Sequence, residues 1–212
     1  MADTILYITD DYPFRRFVEA YLDFSNLEQI HEKFNFEETL LFGTDQNRYL
    51  HKKFYSSMDK DQEFVSLYRR FIKNQILPLF DEDMIFQKYP TFRVHQPNNI
   101  AVFAFHRDRD YNHNKNEINF YLPITKAFET NTFWYESEEY KKDYKPMEAD
   151  YGDVVMWDGA NLEHGNKKNE TEQTRISFDF RLLSKNNYLN SEKKLSKSKG
   201  KKLELGDYFD EI

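Results

Sequence analysis

Three side chains in the second half of the chain have the types and order to hold a metal ion. His106-Arg-Asp108 offers an imidazole and a carboxylate two residues apart, after the apolar run Ala101-Val-Phe-Ala-Phe105. The stretch 100–108 reads as a strand. Side chains on a strand alternate faces, so His106 and Asp108 point the same way and their heads can converge on one ion. His164 follows a second strand-like run, Asp153-Val-Val-Met-Trp157, on a loop that carries Gly159 and Gly165. Arg175 then opens a third, Arg175-Ile-Ser177-Phe-Asp179-Phe-Arg181. In a closed β structure such distant segments meet.

Two imidazoles and one carboxylate on one face of an ion are the donor set of non-haem Fe(II) oxygenases, with open positions left for further ligands. The sequence has no cysteine. Thiolate-bound zinc, iron–sulfur clusters and disulfides are therefore excluded, and any metal must sit on His, Asp or Glu. A second arrangement competes: His113 and Glu117 would lie on one face if their stretch were helical. Pro123 and the alternation of Ile118, Phe120 and Leu122 favour a strand there instead.

The elements that must position these residues fall into two kinds. Helical spacing appears first. Phe14, Phe17, Val18, Tyr21 and Leu22 form one stripe after Pro13, residues 26–34 and 45–58 are further helical candidates, and Phe64, Leu67, Tyr68, Phe71, Ile72 and Ile76 mark a helix from about Asp61 to Leu77. Asp59 is placed to cap that helix and Pro78 to stop it. A short β-like run, Ile5–Ile8, precedes them. After Pro78 the pattern turns to strand runs around 85–89, 91–97, 100–108, 117–124, 132–138, 153–158 and 175–183. Helices followed by strands predict an α+β chain. The expected layout is a single catalytic domain over 1–185, with mainly helical N-terminal support over 1–83 and a β-sandwich core over 84–185. A flexible charged tail is expected over 186–212, with its basic stretch at Ser191–Lys202. The closing aromatics Tyr208 and Phe209 are expected to dock on the body or on a second subunit, which leaves a homodimer open.

Composition narrows the function. The 212 residues carry a net charge of −7, which argues against a nucleic-acid partner. No apolar run approaches the roughly 20 residues of a membrane span. Mean hydropathy is −0.88, and the N-terminus has no basic, apolar leader, so the expected compartment is the cytoplasm. Twenty Phe and 15 Tyr make the expected core aromatic.

Several blocks together carry a resemblance. They are His106-Arg-Asp108-Arg-Asp-Tyr111-Asn-His113, Glu117-Ile-Asn119-Phe-Tyr-Leu-Pro123-Ile-Thr125, Asn131-Thr132-Phe-Trp134-Tyr-Glu136-Ser137, Gly152-Asp153, His164-Gly-Asn166-Lys-Lys-Asn169 and Thr174-Arg175-Ile-Ser177-Phe-Asp179-Phe-Arg181. From about Phe92 to Leu183 the chain resembles the phytanoyl-CoA hydroxylase-like superfamily of Fe(II)/2-oxoglutarate dioxygenases, and within it the streptomycin-biosynthesis hydroxylase-like branch. The N-terminal half carries no recognised motif. The resemblance implies a double-stranded β-helix of the jelly-roll or cupin type, with the N-terminal helices packed on one sheet. It implies Fe(II) on His106, Asp108 and His164, with 2-oxoglutarate and O2 as co-substrates. Arg175 is expected to grip the far carboxylate of 2-oxoglutarate, because a guanidinium holds a carboxylate bidentately. Arg181, on the same strand face, is its rival. Asn119, Thr132 and Ser177 are expected near the co-substrate. Tyr111, His113, Glu117 and Tyr121 are expected on the substrate side.

The implied reaction is hydroxylation of a C–H bond with release of succinate and CO2. Related halogenases replace the ligand carboxylate with a small residue, so Asp108 favours hydroxylation. The expected pocket rim, Arg107, Arg109, His113, Lys115, Glu117 and Glu136, suits a small polar metabolite such as an amino acid, a sugar or a natural-product intermediate. The competing readings are a cupin-type isomerase or dioxygenase that does not use 2-oxoglutarate, and a desaturase or epimerase of the same superfamily.

Overall fold

The computed structural model describes residues 2–34, 49–101, 104–191 and 202–212. Parts of three expected segments lie outside these residues: 45–48 of the helical candidate over 45–58, 102–103 of the 100–108 run, and 192–201 of the basic stretch.

All strand pairs are antiparallel. The larger sheet contains β1 (Asp3–Leu6), β7 (Asp153–Trp157), β4 (Ile118–Pro123), β9 (Arg175–Ser184), β2 (Met84–Gln87) and β10 (Phe209–Asp210) in that order, with β3 (Thr91–His95) also on β9. The smaller sheet has the order β6 (Lys145–Pro146), β5 (Phe133–Tyr135), β8 (His164–Asn166). The ten residues of β9 organise the larger sheet. One edge pairs with β4 from Ser177 to Leu182, while the other meets β3 over Arg175–Asp179 and β2 over Leu182–Ser184.

The period of two on each strand separates packing from chemistry. On β9, Ile176, Phe178, Phe180 and Leu182 join Phe120 and Leu122 of β4 and Val154 of β7 in the core beneath the helices. Arg175, Ser177, Asp179 and Arg181 alternate with them and face the smaller sheet. Helices α1 (Phe14–Leu22), the short α2 (Ile30–Lys33), α3 (Tyr49–Met58) and α4 (Gln62–Phe71) supply the other half of that core through Phe14, Val18, Ile30, Phe54, Phe64 and Phe71. Its contacts are largely aromatic, as the composition predicts: Phe54 stacks on Phe92 with centroids 4.2 Å apart, and Phe120 on Phe180 at 5.0 Å. A second cluster, including Tyr121, Phe133, Val155, Trp157 and Leu162, fills the space between the two sheets.

Two expectations at helix ends are corrected. Asp61, not Asp59, caps α4, and its carboxylate accepts the amides of Glu63 and Phe64. The amides of Asp59 and Lys60 are still bonded back to Tyr55 and Ser57, so the new helix starts later. At the other end, α4 widens into a π-helical turn over Ile72–Ile76 and closes in a 3₁₀ turn over Leu77–Leu79 around Pro78.

The end of the chain is not a free tail over the described residues. Lys185–Leu189 forms α5, and β10 pairs with β2. Leu203, Tyr208 and Phe209 are buried against Ile85 and Leu183. The closing aromatics thus dock on the body of their own chain. Among the described residues no helix is long and apolar enough to cross a membrane.

Candidate metal centre

Among the described residues of the strand expected over 100–108, none lies in a strand. His106 makes a two-residue bridge to His164, with amide-to-carbonyl bonds of 2.9 Å in both directions. Asp108 already begins a 3₁₀ turn over Asp108–Tyr111. That turn is closed by the Asp110 carboxylate, which accepts the Arg107 amide, and by Asn112 in the left-handed region at φ 72°. Arg107 remains extended, at φ −105° and ψ 141°. His106 and Asp108 therefore still fall on one side, by one extended residue rather than by a continuous strand.

The bridge places both imidazoles together, with ring centroids 4.6 Å apart. Each Nε2 lies 3.8 Å from Oδ1 of Asp108. The three donor atoms lie within 4.8 Å of one another. Both rings bond a main-chain carbonyl through Nδ1: His106 to Ala104 at 2.8 Å and His164 to Leu162 at 2.9 Å. A carbonyl can only accept, so each Nδ1 carries the proton and each Nε2 presents a lone pair to the shared point. Burial first, and then the neighbouring His106 ring, which disfavours a second positive charge, pulls the His164 ring down to about 4, which keeps it neutral and able to ligate. This donor set fits a divalent ion of the Fe(II) type.

Asp108 is nearly inaccessible, at 4% exposure. Burial pushes its carboxyl up, but the charge of Arg181 foremost outweighs this and holds it well below the usual carboxylate range. Its Oδ2 accepts from Arg181 Nη2 at 2.7 Å, Arg181 Nε at 2.9 Å and Asn119 Nδ2 at 2.7 Å. With Oδ2 occupied, Oδ1 is the oxygen that faces the histidines. Asn119 thus holds the carboxylate through Nδ2, while its buried Oδ1 has no hydrogen-bond partner among the described residues and lines the cavity where a co-substrate is expected. Arg181, the rival clamp, is committed to Asp108.

Arg175 lines the same cavity and is 3% exposed. Its Nε donates to the Asn131 carbonyl at 3.1 Å and its Nη1 to Ser177 Oγ at 3.0 Å, while Nη2 makes no hydrogen bond among the described residues. The Tyr121 hydroxyl lies beside Arg175, Thr132 and Ser177, buried and without a hydrogen-bond partner of good geometry among the described residues. Burial raises it, so it stays a protonated donor. Two uncommitted donors at a buried guanidinium are what a carboxylate would satisfy. Thr132 donates to the Met147 carbonyl at 2.9 Å and Ser177 supports Arg175.

The expected substrate residues divide. Tyr111 stands edge-on to His106, with centroids 5.0 Å apart. Tyr121 belongs with Arg175. His113 pairs with Glu117 at 2.8 Å behind Asp108, and neither lines the cavity that holds the three donors. The expected rim is likewise corrected. Arg107 and Glu136 form a buried ion pair at 2.9 Å, Arg109 pairs with Glu139, and none of the six rim residues lines that cavity. Its polar lining comes instead from Arg93, Asp179 and Asn166, with the Arg93–Asp179 pair at 2.8 Å. Asp179 could have been found from its period-two spacing with Arg175 and Arg181. Arg93, on a different strand, carried no such signal.

Gly159 keeps the assembly open. A Cβ there would lie 2.6 Å from Asn119 Nδ2 and 2.9 Å from Trp157 Cη2, while its carbonyl accepts the Asp108 amide at 3.1 Å. Asn119 cannot retreat without leaving Asp108. Gly159→Ala is expected to cost about 1–3 kcal/mol of stability, as overpacking does. Urea unfolding measures this, and an unchanged midpoint would show that Asn119 is free to move.

No family model matches the sequence. The streptomycin biosynthesis protein StrG of Streptomyces griseus is 38% identical over 169 residues, which span 80% of this chain and 79% of that protein. Among solved structures, the non-haem α-ketoglutarate-dependent carbocyclase SnoK from nogalamycin biosynthesis superposes with a TM-score of 0.56, at 14% identity, covering 99% of this chain and 91% of that one. EctD from S. alaskensis with bound Fe gives 0.50 at 11% identity, over 88% of this chain and 73% of that one. These two likenesses are of fold. By its sequence match, which covers four fifths of both chains, the chain belongs to the family of the streptomycin biosynthesis protein StrG.

Proposed function

We propose that the protein is an Fe(II)- and 2-oxoglutarate-dependent dioxygenase that hydroxylates a C–H bond of a small polar metabolite, an amino-acid, sugar or natural-product intermediate, releasing succinate and CO2. The observation that carries this reading is the pairing of two features in one cavity: a histidine pair with both Nε2 lone pairs turned to Asp108, and the uncommitted donors of Arg175 and Tyr121. His106, Asp108 and His164 would hold the metal. Bound there, Fe(II) supplies the activation of O2 that no amino-acid side chain provides. Asp108 stays charged because Arg181 balances it, and His164 stays neutral because it is buried. Arg175 and Tyr121 would orient the distal carboxylate of 2-oxoglutarate, with Ser177 and Asn131 fixing the guanidinium plane. Phe133 and Trp157 border the site and keep water from it. The Arg93–Asp179 pair, which offers both signs of charge in the same cavity, supports a polar substrate. We take the two facing sheets as a double-stranded β-helix, the protein as cytoplasmic, and its partner as a small molecule rather than nucleic acid or membrane. A homodimer is the oligomer we would test for.

The test is anaerobic titration with Fe(II) and 2-oxoglutarate, watched by visible absorption, followed by aerobic succinate assays with polar metabolites. A charge-transfer band that needs both components, and succinate release stimulated by a metabolite, is the expected result. Metal binding without the band would favour the cupin-type isomerase or dioxygenase. Stimulated succinate with a product that has gained no oxygen would favour desaturation, epimerisation or the ring closure that gives SnoK its name.

A further inference from the structure

The C-terminal segment reaches the metal centre from behind. Phe209 pairs with Gln87 as β10 docks on β2, and the Lys88 amide donates to the Tyr208 carbonyl at 2.8 Å. This register turns the Tyr208 side chain inward, where it is 9% exposed. Its hydroxyl donates to Gln87 Oε1 at 2.8 Å and accepts from Arg181 Nη1 at 3.0 Å. Gln87 is itself held, since its Nε2 donates to the Tyr89 carbonyl at 2.7 Å and to Thr91 Oγ1 at 3.0 Å. The other two guanidinium nitrogens of Arg181 grip Oδ2 of Asp108. A continuous line of buried hydrogen bonds therefore runs from the chain's last strand to the carboxylate.

We propose that Tyr208 is a positioning residue for the metal ligand Asp108, acting through Arg181, so that the docked C-terminal segment is an integral part of the metal centre. This rests on the reading of His106, Asp108 and His164 as metal ligands. A guanidinium has five donors in a fixed plane, and two of them suffice to hold Oδ2. Left at that, Arg181 could rock about the carboxylate and carry it out of line with the histidines. The Tyr208 hydroxyl holds the opposite edge of the plane at 3.0 Å, closer than the 3.4 Å bond from the same Nη1 to Gln87 Oε1, and it also holds Gln87 in place, so it restricts that freedom. Outer partners of metal ligands act this way, by orientation rather than contact. Burial raises the Tyr208 hydroxyl, so it is neutral and adds no charge of its own. Removing it changes position and leaves the electrostatics of the pair intact.

Tyr188 provides the control. Its hydroxyl accepts the Leu205 amide at 3.1 Å, a contact that docks the same segment without touching Arg181. The experiment titrates Co(II) into the metal-free full chain under anaerobic conditions and reads both affinity and the ligand-field spectrum, with no turnover needed. Tyr208→Phe keeps the ring and is expected to weaken Co(II) binding about tenfold, the lower end of the effect of outer-sphere partners, with an altered spectrum. Tyr188→Phe is expected to match the wild type in both. Wild-type affinity and spectrum in Tyr208→Phe would overturn the proposal. Equal weakening in the two variants would also overturn it, because docking alone would then be the cause. If the wild-type chain binds no Co(II), the metal reading itself fails and this inference goes with it.

Discussion

Replacing Asp108 with alanine is expected to lower the melting temperature of the metal-free protein by roughly 6–20 °C, besides abolishing metal retention. The metal loss follows from removing one of three donors. The stability loss has a separate cause. Arg181 is buried at 8% exposure, and burial alone would lower its pKa; the charge of Asp108 foremost, with that of Glu117, raises it well above the ordinary arginine value instead. Truncating Asp108 leaves that guanidinium without its two charged hydrogen bonds. Breaking a buried pair on one side costs about 3–5 kcal/mol, and at this chain length each kcal/mol moves the midpoint by roughly 2–4 °C. Glu117 remains 3.8 Å from Arg181 Nε, so the lower part of the range is favoured. Asp108→Asn, which keeps one accepting oxygen, should fall between alanine and wild type.

The sign of this prediction is its discriminating feature. A cluster of metal donors held without a metal often stores strain, and removing a member then stabilises the apo protein. Here the carboxylate is also the counter-ion of a buried arginine, so its removal should destabilise. The double variant Asp108→Asn, Arg181→Met removes both charges and should recover much of the loss, since apolar replacement of a buried pair is often neutral or better. Calorimetric scans of the chelator-treated proteins measure all three. A midpoint for Asp108→Ala at or above the wild type would mean that Arg181 finds other partners, and would refute the account of the pair given above.

The contrast between Arg175 and Arg181 also shows where sequence reasoning reaches and where it stops. Period-two alternation put both arginines on one face of β9, and the structure has them there, with Ser177 and Asp179 between them. Helical periodicity placed α1 and α4 because each buries a stripe of its own residues, a local signal. Which arginine faces the carboxylate ligand is not local. Arg181 meets Asp108 from 73 residues away, and its other partner, Tyr208, arrives by way of a strand of two residues at the far edge of the sheet. Two residues carry no readable period. Likewise, the turn at Asp108–Tyr111 is made by backbone bonds, by the Asp110 carboxylate and by Asn112 in the left-handed region, none of which leaves a period in the sequence, so the run up to Asp108 reads as a strand. His113, Glu117 and Glu136 look like pocket residues in sequence because they are polar among strands. In the fold each is satisfied by a buried partner and turned from the cavity.

The second large effect is expected at Arg175. Arg175→Ala should raise the 2-oxoglutarate concentration needed for half-saturation by about 30- to 4000-fold, with Fe(II) affinity in the absence of 2-oxoglutarate unchanged. Loss of one partner of a buried, hydrogen-bonded charge pair costs about 2–5 kcal/mol, and each 1.4 kcal/mol is a factor of ten. The separation of the two affinities follows from geometry. Arg175 bonds Asn131 and Ser177 and touches none of the three donors, whereas Arg181 bonds a donor and leaves the Arg175 side of the cavity alone. Arg175→Lys should recover only part of the loss, because an ammonium restores charge but cannot reach the Asn131 carbonyl, Ser177 and a carboxylate in one plane. Tyr121→Phe, which removes one donor to a charged acceptor, should cost about 1.5–3 kcal/mol, or roughly 10- to 150-fold. Anaerobic titrations of iron alone, and then of 2-oxoglutarate onto the iron-loaded protein, separate these effects. If Arg175→Ala binds 2-oxoglutarate as the wild type does, the uncommitted donors at Arg175 and Tyr121 serve some other anion, and the co-substrate must be sought against Arg93 on β3.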